Sequence, residues 1–380
     1  MIIRSVTLDN VRNHAHTVVP CTSGVNILTG PNGAGKTSVL EAISMCAMAR
    51  SFVPVPESSL LRKGASACAM RLQAKRDSDV PYHVTISFGE GSRKRIDTAL
   101  GDGVTARDLI GELAVVALSP DHKSITLGGP ADRRSFLDGL LAQASHRYRD
   151  LLYDHRRILK QRNALLADAE GQVSRVAGIL ESWTEQFVDV SAQLVVRRSE
   201  AIMQLAPVVA ESYAGVSANA ERVDVRYEPD VLGPITDADY GAVVSAMAAA
   251  ARKLCDAEVR RGQTLFGPQK DDVGFFIDGR PVRETASQGQ HKSLLVALKL
   301  AECHRLVDGT GERPVVLLDD VFAELDKARC AHVMRLVLAM NMQCFVTTTE
   351  GPTIACMVPE GVDIAMFDVD NGTIADPISR

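Results

Sequence analysis

The chain has little that marks a special environment. It carries no basic excess; the formal net charge is −5. Any contact with nucleic acid therefore has to use a local basic patch on an acidic body. The eight cysteines (Cys21, Cys46, Cys68, Cys255, Cys303, Cys330, Cys344 and Cys356) include no pair at CxxC spacing. That speaks against a zinc site or a redox pair. Most lie in apolar stretches, where a thiol behaves as a small hydrophobe, and this fits a reducing compartment. The longest apolar run, an alanine-rich stretch near 243–251, falls well short of the roughly 20 residues a membrane span needs. The start, MIIRSVTLDN, carries Arg4 and Asp9 and lacks an apolar core, so it does not read as a signal peptide. Tandem repeats, low-complexity segments and sustained heptads are also missing. These absences predict a soluble, cytoplasmic protein with no membrane partner. With 380 residues, 46% hydrophobic and 23% charged, the chain can bury one large domain or two ordinary ones.

The order of patterns suggests how the chain is organised. Residues 1–30 alternate apolar and polar positions and then run apolar, which predicts a hairpin feeding a buried strand. A glycine-rich loop at 30–37 precedes a helix expected over 38–50, with Val39, Leu40, Ile43 and Cys46 on one face. Strands are expected at 82–88 and 113–118. From Arg133 to about Arg252 the period is mostly helical, broken by a strand-like segment at 222–227. Strand patterns return at 275–277, 315–318 and 344–348, with a helix at 289–306. The predicted fold is α/β: one head made from 1–124 together with 262–380, and a mostly helical lobe, 125–261, inserted into it.

Three motifs carry chemistry. GPNGAGKT, from Gly30 to Thr37, fits G-x-x-x-x-G-K-[ST] in full and lies between a strand and a helix. Glycines let backbone N–H groups turn toward phosphates, and the helix N-terminus adds its positive end. Gly30, Pro31, Asn32, Gly33, Ala34, Gly35, Lys36, Thr37 and Ser38 are the nucleotide-contact candidates. Lys36 is assigned to the β/γ-phosphates of ATP and Thr37 to Mg²⁺. The second motif, VVLLDD, ends a buried strand with two carboxylates. Asp319 is assigned to Mg²⁺ and Asp320, with Lys36, to catalysis on the attacking water. An acidic strand end at the surface would look the same in isolation, and its pairing with the phosphate loop favours the catalytic reading. The third motif, Ser287-Gln288-Gly289-Gln290, opens a helix. It offers either an anion site or a plain helix cap.

In this order the three motifs, followed by Ala323-Glu324-Leu325-Asp326, resemble ABC-type ATPase heads, and most closely the RecF family of bacterial recombination-mediator ATPases. NVRN at 10–13, SPDH at 119–122, GGPADRRSFLD at 128–138 and GPQKDD at 267–272 extend the resemblance over nearly the whole chain. It implies a phosphate-loop parallel sheet with an antiparallel β layer. It also implies an ATP-dependent homodimer in which Ser287, Gly289 and Gln290 of one protomer cover the ATP of the other, with Asp326 at the interface. Arg12 and Asn13 would lie near the ribose and phosphates. The expected activity is slow, DNA-stimulated ATP hydrolysis on DNA near single-strand/double-strand junctions, with little sequence specificity, in repair, replication and the SOS response. RecO and RecR are the implied partners in loading a recombinase.

The chain departs from the ABC pattern at three places. Asp320 stands where transporters have Glu, Thr347 to Thr349 stand where a switch histidine is usual, and Asp121 is the residue at the lobe junction where a glutamine is expected. Arg133, Arg134, Arg147, Arg149, Arg156, Arg157, Lys160, Arg162, Arg197 and Arg198 crowd the lobe. They form either a phosphate-neutralising patch or an ordinary solvated face, since Asp138, Asp150 and Asp154 are interleaved. Two alternative readings stay open: a nucleotide-sensing adaptor that does not hydrolyse ATP, and an SMC- or Rad50-like structural ATPase.

Overall fold

The paired apolar runs at the two ends of the chain fold together. In the computed structural model, which describes residues 1–101, 103–169, 171, 176–217, 221–233, 239–323 and 327–379, the chain divides into two compact units. One is Met1–His122 with Leu298–Arg380, and the other is Lys123–Ala297. Among the described residues, no helix is long and apolar enough to cross a membrane.

The first unit holds two sheets. The strand Val25–Thr29 sits inside a mostly parallel sheet, between Ile364–Asp370 and Cys344–Thr348, followed by Val315–Asp319 and Val115–Leu118. Unbroken apolar runs suit this position because both faces of such strands are covered; Val315–Asp319 and Cys344–Thr348 are buried at every residue. The second sheet is antiparallel, in the order His14–Pro20, Ile2–Val11, Ala67–Lys75, Pro81–Gly89, Arg95–Thr98. Along Pro81–Gly89, Tyr82, Val84, Ile86 and Phe88 are buried alternately with more exposed residues, so one face meets the core. The helix Lys36–Met48 lies against strands of both sheets, and its Val39, Leu40, Ile43 and Cys46 belong to the shared apolar core. This is the α/β head with an antiparallel layer that the motif order implied. The helix starts two residues earlier than periodicity suggested, because the loop glycines, not the apolar pattern, set its first turn.

The second unit contains the helices Pro130–Ala144, His146–Asp168, Ala177–Val216 and Tyr240–Arg261 and a three-stranded antiparallel sheet. The strand-like break expected at 222–227 is the strand Val223–Glu228. It pairs along its length with Asp272–Ile277, so 262–297 groups with the helical unit. The second boundary therefore falls at 297/298, inside the helix Gln288–Thr310, where the sequence had suggested 261/262.

Buried charges organise this unit. The Arg162 guanidinium donates to both oxygens of Glu258, at 3.2 and 2.6 Å, and to Thr264 Oγ1 at 2.8 Å. Its plane lies over the rings of Phe187 and Phe266. Both partners of the pair are almost fully buried. Arg198 donates to both oxygens of Asp138 at 3.0 Å, to the Pro268 carbonyl and to Asp271.

A buried ion pair costs most when one partner is removed. Glu258→Ala is expected to lower the stability of this unit by about 3–5 kcal/mol. Replacing both members, as Arg162→Met with Glu258→Met, should recover much of the loss. The single tryptophan, Trp183, lies in the same unit, so a urea titration followed by its fluorescence reads the change. Equal midpoints for wild type and Glu258→Ala would show that the pair is energetically neutral.

Candidate phosphate-binding site

The loop between the strand Val25–Thr29 and the helix Lys36–Met48 is shaped by glycine. Gly30, Gly33 and Gly35 have φ of 149°, 79° and 110°, values that side chains rarely tolerate. A Cβ on Gly30 would lie 2.2 Å from the Val369 carbonyl oxygen, and one on Gly35 would lie 2.5 Å from His14 Nε2 and 2.6 Å from Asn13 Oδ1. Neighbouring chain therefore presses on the loop at two points. Asn13 Nδ2 donates to the Ala34 carbonyl at 2.8 Å and to that of Gly33 at 3.2 Å. His14 bridges Gly35 O and Thr17 Oγ1, at 3.0 and 2.9 Å, and Gly372 N donates to Ala34 O. His14 was not singled out in the sequence. Its role depends on a hairpin folding back 21 residues from the loop, and no local pattern announces that.

Gly35 is the N-cap of the helix and offers no side-chain cap, so the N–H groups at the helix start can meet a ligand. Pro31, Asn32 and Gly33 are exposed, while Ala34 and Ser38 are buried beneath them. Lys36 Nζ donates to the carbonyls of Gly30 and Pro31, at 2.6 and 2.8 Å. Burial draws its pKa below the ordinary lysine value, and the fields of Asp320 and Asp319 oppose that shift.

The strand Val315–Asp319 brings its carboxylate to the same place. Thr37 Oγ1 donates to Asp319 Oδ1 at 2.8 Å, and Thr347 Oγ1 donates to the same oxygen, also at 2.8 Å. Burial raises the pKa of Asp319, and the two hydroxyl donors hold it down. The next residue, Asp320, turns the chain at φ 50°, and its N–H donates to Thr347 Oγ1 at 2.9 Å. Among the described residues, no cluster of His, Cys, Asp or Glu could hold a metal by itself. One carboxylate beside one hydroxyl is instead the oxygen set that suits Mg²⁺, which is commonly bound by a few protein ligands together with water and substrate phosphates. The donors present thus fit a phosphate ligand with Mg²⁺.

Among the other expected site residues, Arg12, Ser287 and Gln290 have partners of their own. Arg12, at φ 50°, turns its guanidinium onto the fully buried Glu41, with contacts of 2.7 Å to both carboxylate oxygens. Ser287, Gly289 and Gln290 belong to the second unit. There Gln290 N donates to Ser287 Oγ at 3.3 Å and Ser287 N donates to Gln290 Oε1 at 2.6 Å, which is a reciprocal capping box. Gln290 Nε2 also donates to Glu221, which accepts from the buried Tyr213 hydroxyl. Asp121 is exposed in the short turn Pro120–Lys123. Asp326, with Glu324 and Leu325, lies outside the described residues.

The basic residues of the second unit separate into two groups. Arg133, Arg149, Arg162 and Arg198 are buried; Arg133 is paired with Asp272, Arg162 with Glu258 and Arg198 with Asp138. Arg134 is partly buried and donates to the Asp271 carbonyl. Arg147, Arg156, Arg157, Lys160 and Arg197 are exposed, Arg157 beside Asp154 and Arg197 beside Glu200.

The crowding at Gly35 is directly testable. Gly35→Ala forces a Cβ against Asn13 and His14 at a positive φ, and should cost about 1–3 kcal/mol of stability. Hydrogen exchange at 30–38 should rise with it. Wild-type protection in the variant would mean that the hairpin does not clamp the loop.

The model of the RecF/RecN/SMC N terminal domain matches residues 2–374. The DNA replication and repair protein RecF of Symbiobacterium thermophilum is 34% identical over 376 residues, covering 98% of each chain. That of Geobacillus thermodenitrificans is 31% identical over 378 residues, 99% of this chain and 100% of the relative. Among solved structures, the recombination mediator protein RecF with ATP superposes with a TM-score of 0.89 at 24% identity, over 99% of this chain and 97% of that one. An Smc head domain from Pyrococcus furiosus reaches 0.58 at 13% identity, over 100% and 96%. These two show a shared fold. By family model and by sequence, this chain belongs to the RecF family of DNA replication and repair proteins.

Proposed function

We propose that the protein is an Mg²⁺-dependent ATPase that uses ATP to close a homodimer on DNA during repair and replication. The observation that carries this reading is the convergence of the Thr37 and Thr347 hydroxyls on one carboxylate oxygen of Asp319, beside a helix N-terminus without a side-chain cap. The backbone N–H groups of 30–37 would receive the phosphates, and Lys36 would leave the loop carbonyls to neutralise them. Thr37 and Asp319 would hold Mg²⁺, which supplies charge neutralisation when bound. Asp320 would take the proton of the attacking water. Its carboxylate is one methylene shorter than the glutamate usual in ABC transporters, which favours slow turnover and a long-lived closed state.

The capping box of Ser287 and Gln290 presents an exposed hydroxyl at a helix start, and this supports its use on the ATP of a second protomer. On DNA, the exposed Arg147, Arg156, Arg157 and Lys160 along the helix His146–Asp168 would meet phosphates without reading bases. Preference for single-strand/double-strand junctions, cooperation with RecR and RecO in loading a recombinase, and stimulation of hydrolysis by DNA are parts of the same proposal, drawn from membership of the RecF family. A second reading, a sensor that binds ATP without hydrolysing it, is favoured by the short reach of Asp320.

Solution mass by light scattering tests the proposal, using Asp320→Asn to block turnover. A monomer that becomes a dimer only with ATP and Mg²⁺, and that then binds duplex DNA with affinity falling steeply as salt rises, is the expected result. A monomer under every condition, DNA included, would refute the dimer. Equal phosphate release by wild type and Asp320→Asn would remove Asp320 from catalysis, and no release by wild type on DNA would leave the sensor.

A further inference from the structure

The hydroxyl of Thr347 occupies a singular position. It is fully engaged in both directions, giving its proton to Asp319 Oδ1 at 2.8 Å and accepting the N–H of Asp320 at 2.9 Å. Thr347 is 1% exposed and sits at the end of the strand Cys344–Thr348, in parallel register with Asp319. The residue it holds through the backbone, Asp320, has a left-handed conformation that a non-glycine residue adopts at a cost of about 1–3 kcal/mol. Such a turn persists where surrounding contacts over-determine it, and the Thr347 hydroxyl is the contact made to the Asp320 amide. A serine, threonine or water elsewhere in the unit could satisfy one carboxylate oxygen. One hydroxyl that grips the metal-binding carboxylate and the catalytic backbone together does more than satisfy a buried group.

We propose that Thr347 is a positioning residue that sets Asp319 toward Mg²⁺ and Asp320 toward the attacking water as a single unit. It is one of the three threonines, Thr347 to Thr349, that stand where the ABC pattern has a switch histidine. Its hydroxyl reaches the two aspartates by hydrogen bonds, and it would act through them. This inference rests on the ATPase reading of the site, because it assigns Thr347 to the arrangement of the same two carboxylates. It gives one of the three threonines of VTTTE a role in the site.

The experiment compares the full-length wild type with Thr347→Val, which keeps the shape and removes the hydroxyl, and Thr347→Ser, which keeps the hydroxyl. Two quantities are read: steady-state ATP turnover, and the Mg²⁺ concentration that half-saturates binding of the fluorescent analogue mant-ATP. Thr347→Val is expected to lower turnover and to raise the Mg²⁺ midpoint, each by about 10- to 100-fold, the range for removing a group that holds a metal ligand. Nucleotide binding at saturating Mg²⁺ should survive, and Thr347→Ser should return both readings close to wild type. If Thr347→Val does not fold by circular dichroism, Thr347→Cys, similar in size to Ser and a weak donor, takes its place in the comparison. A valine or cysteine variant that matches wild type in both readings overturns the inference, as does a serine variant as impaired as valine, since packing and not the hydroxyl would then be responsible. A wild-type chain that neither binds mant-ATP nor hydrolyses ATP overturns the underlying function, and the inference with it.

Discussion

A buried carboxylate at the end of a parallel strand is the constraint around which the site is built. Asp319 is 7% exposed, and a charge held there without donors would protonate. Two hydroxyls, from Thr37 on the helix and Thr347 on the neighbouring strand, supply what solvent cannot. They also tie three separate chain segments to one atom. The parallel register Asp319 to Thr347 and the start of the helix at Lys36 are both prerequisites for that meeting. The glycine-rich loop is held from the other side by Asn13 and His14.

The helical unit uses charge in a different way. Arg162, Arg198 and Arg133 spend their guanidinium groups on Glu258, Asp138 and Asp272 inside the unit. Removing water from these ions is costly, and fixed partners with additional hydroxyl and carbonyl acceptors compensate. A cluster that looks like a single basic patch in the sequence is thus partly internal scaffolding. Arg147, Arg156, Arg157 and Lys160 remain on the surface of one helix.

The capping box at Ser287 and Gln290 serves its own helix first, as helix chemistry requires. Its further link, from Gln290 to Glu221 and on to Tyr213, joins the helix start to a residue two places before the strand Val223–Glu228. The box is therefore not an isolated turn. Its geometry is shared with the strand and the long helix Ala177–Val216 that precede it in the chain.

Much of this was legible from local pattern. The glycine spacing, the strand before it and the helix after it predict the strand, the sharply turned loop and the helix start that the structure has, because glycine readily accepts those φ values. The continuous apolar run ending in two aspartates predicts a buried strand inside the sheet for the same kind of local reason. The alternation at 82–88 and the helical period after Arg133 predict their elements within a few residues. Tertiary structure alone decided which arginines are buried, since a guanidinium's fate depends on whether a carboxylate from a distant helix reaches it. It decided that 262–297 groups with the helical unit, because strand pairing is not written in either strand alone. It decided that Arg12 turns to Glu41, that His14 supports the loop, and that Thr347 grips both aspartates. Each of these is a contact between residues far apart in the chain, and local periodicity carries no information about such contacts.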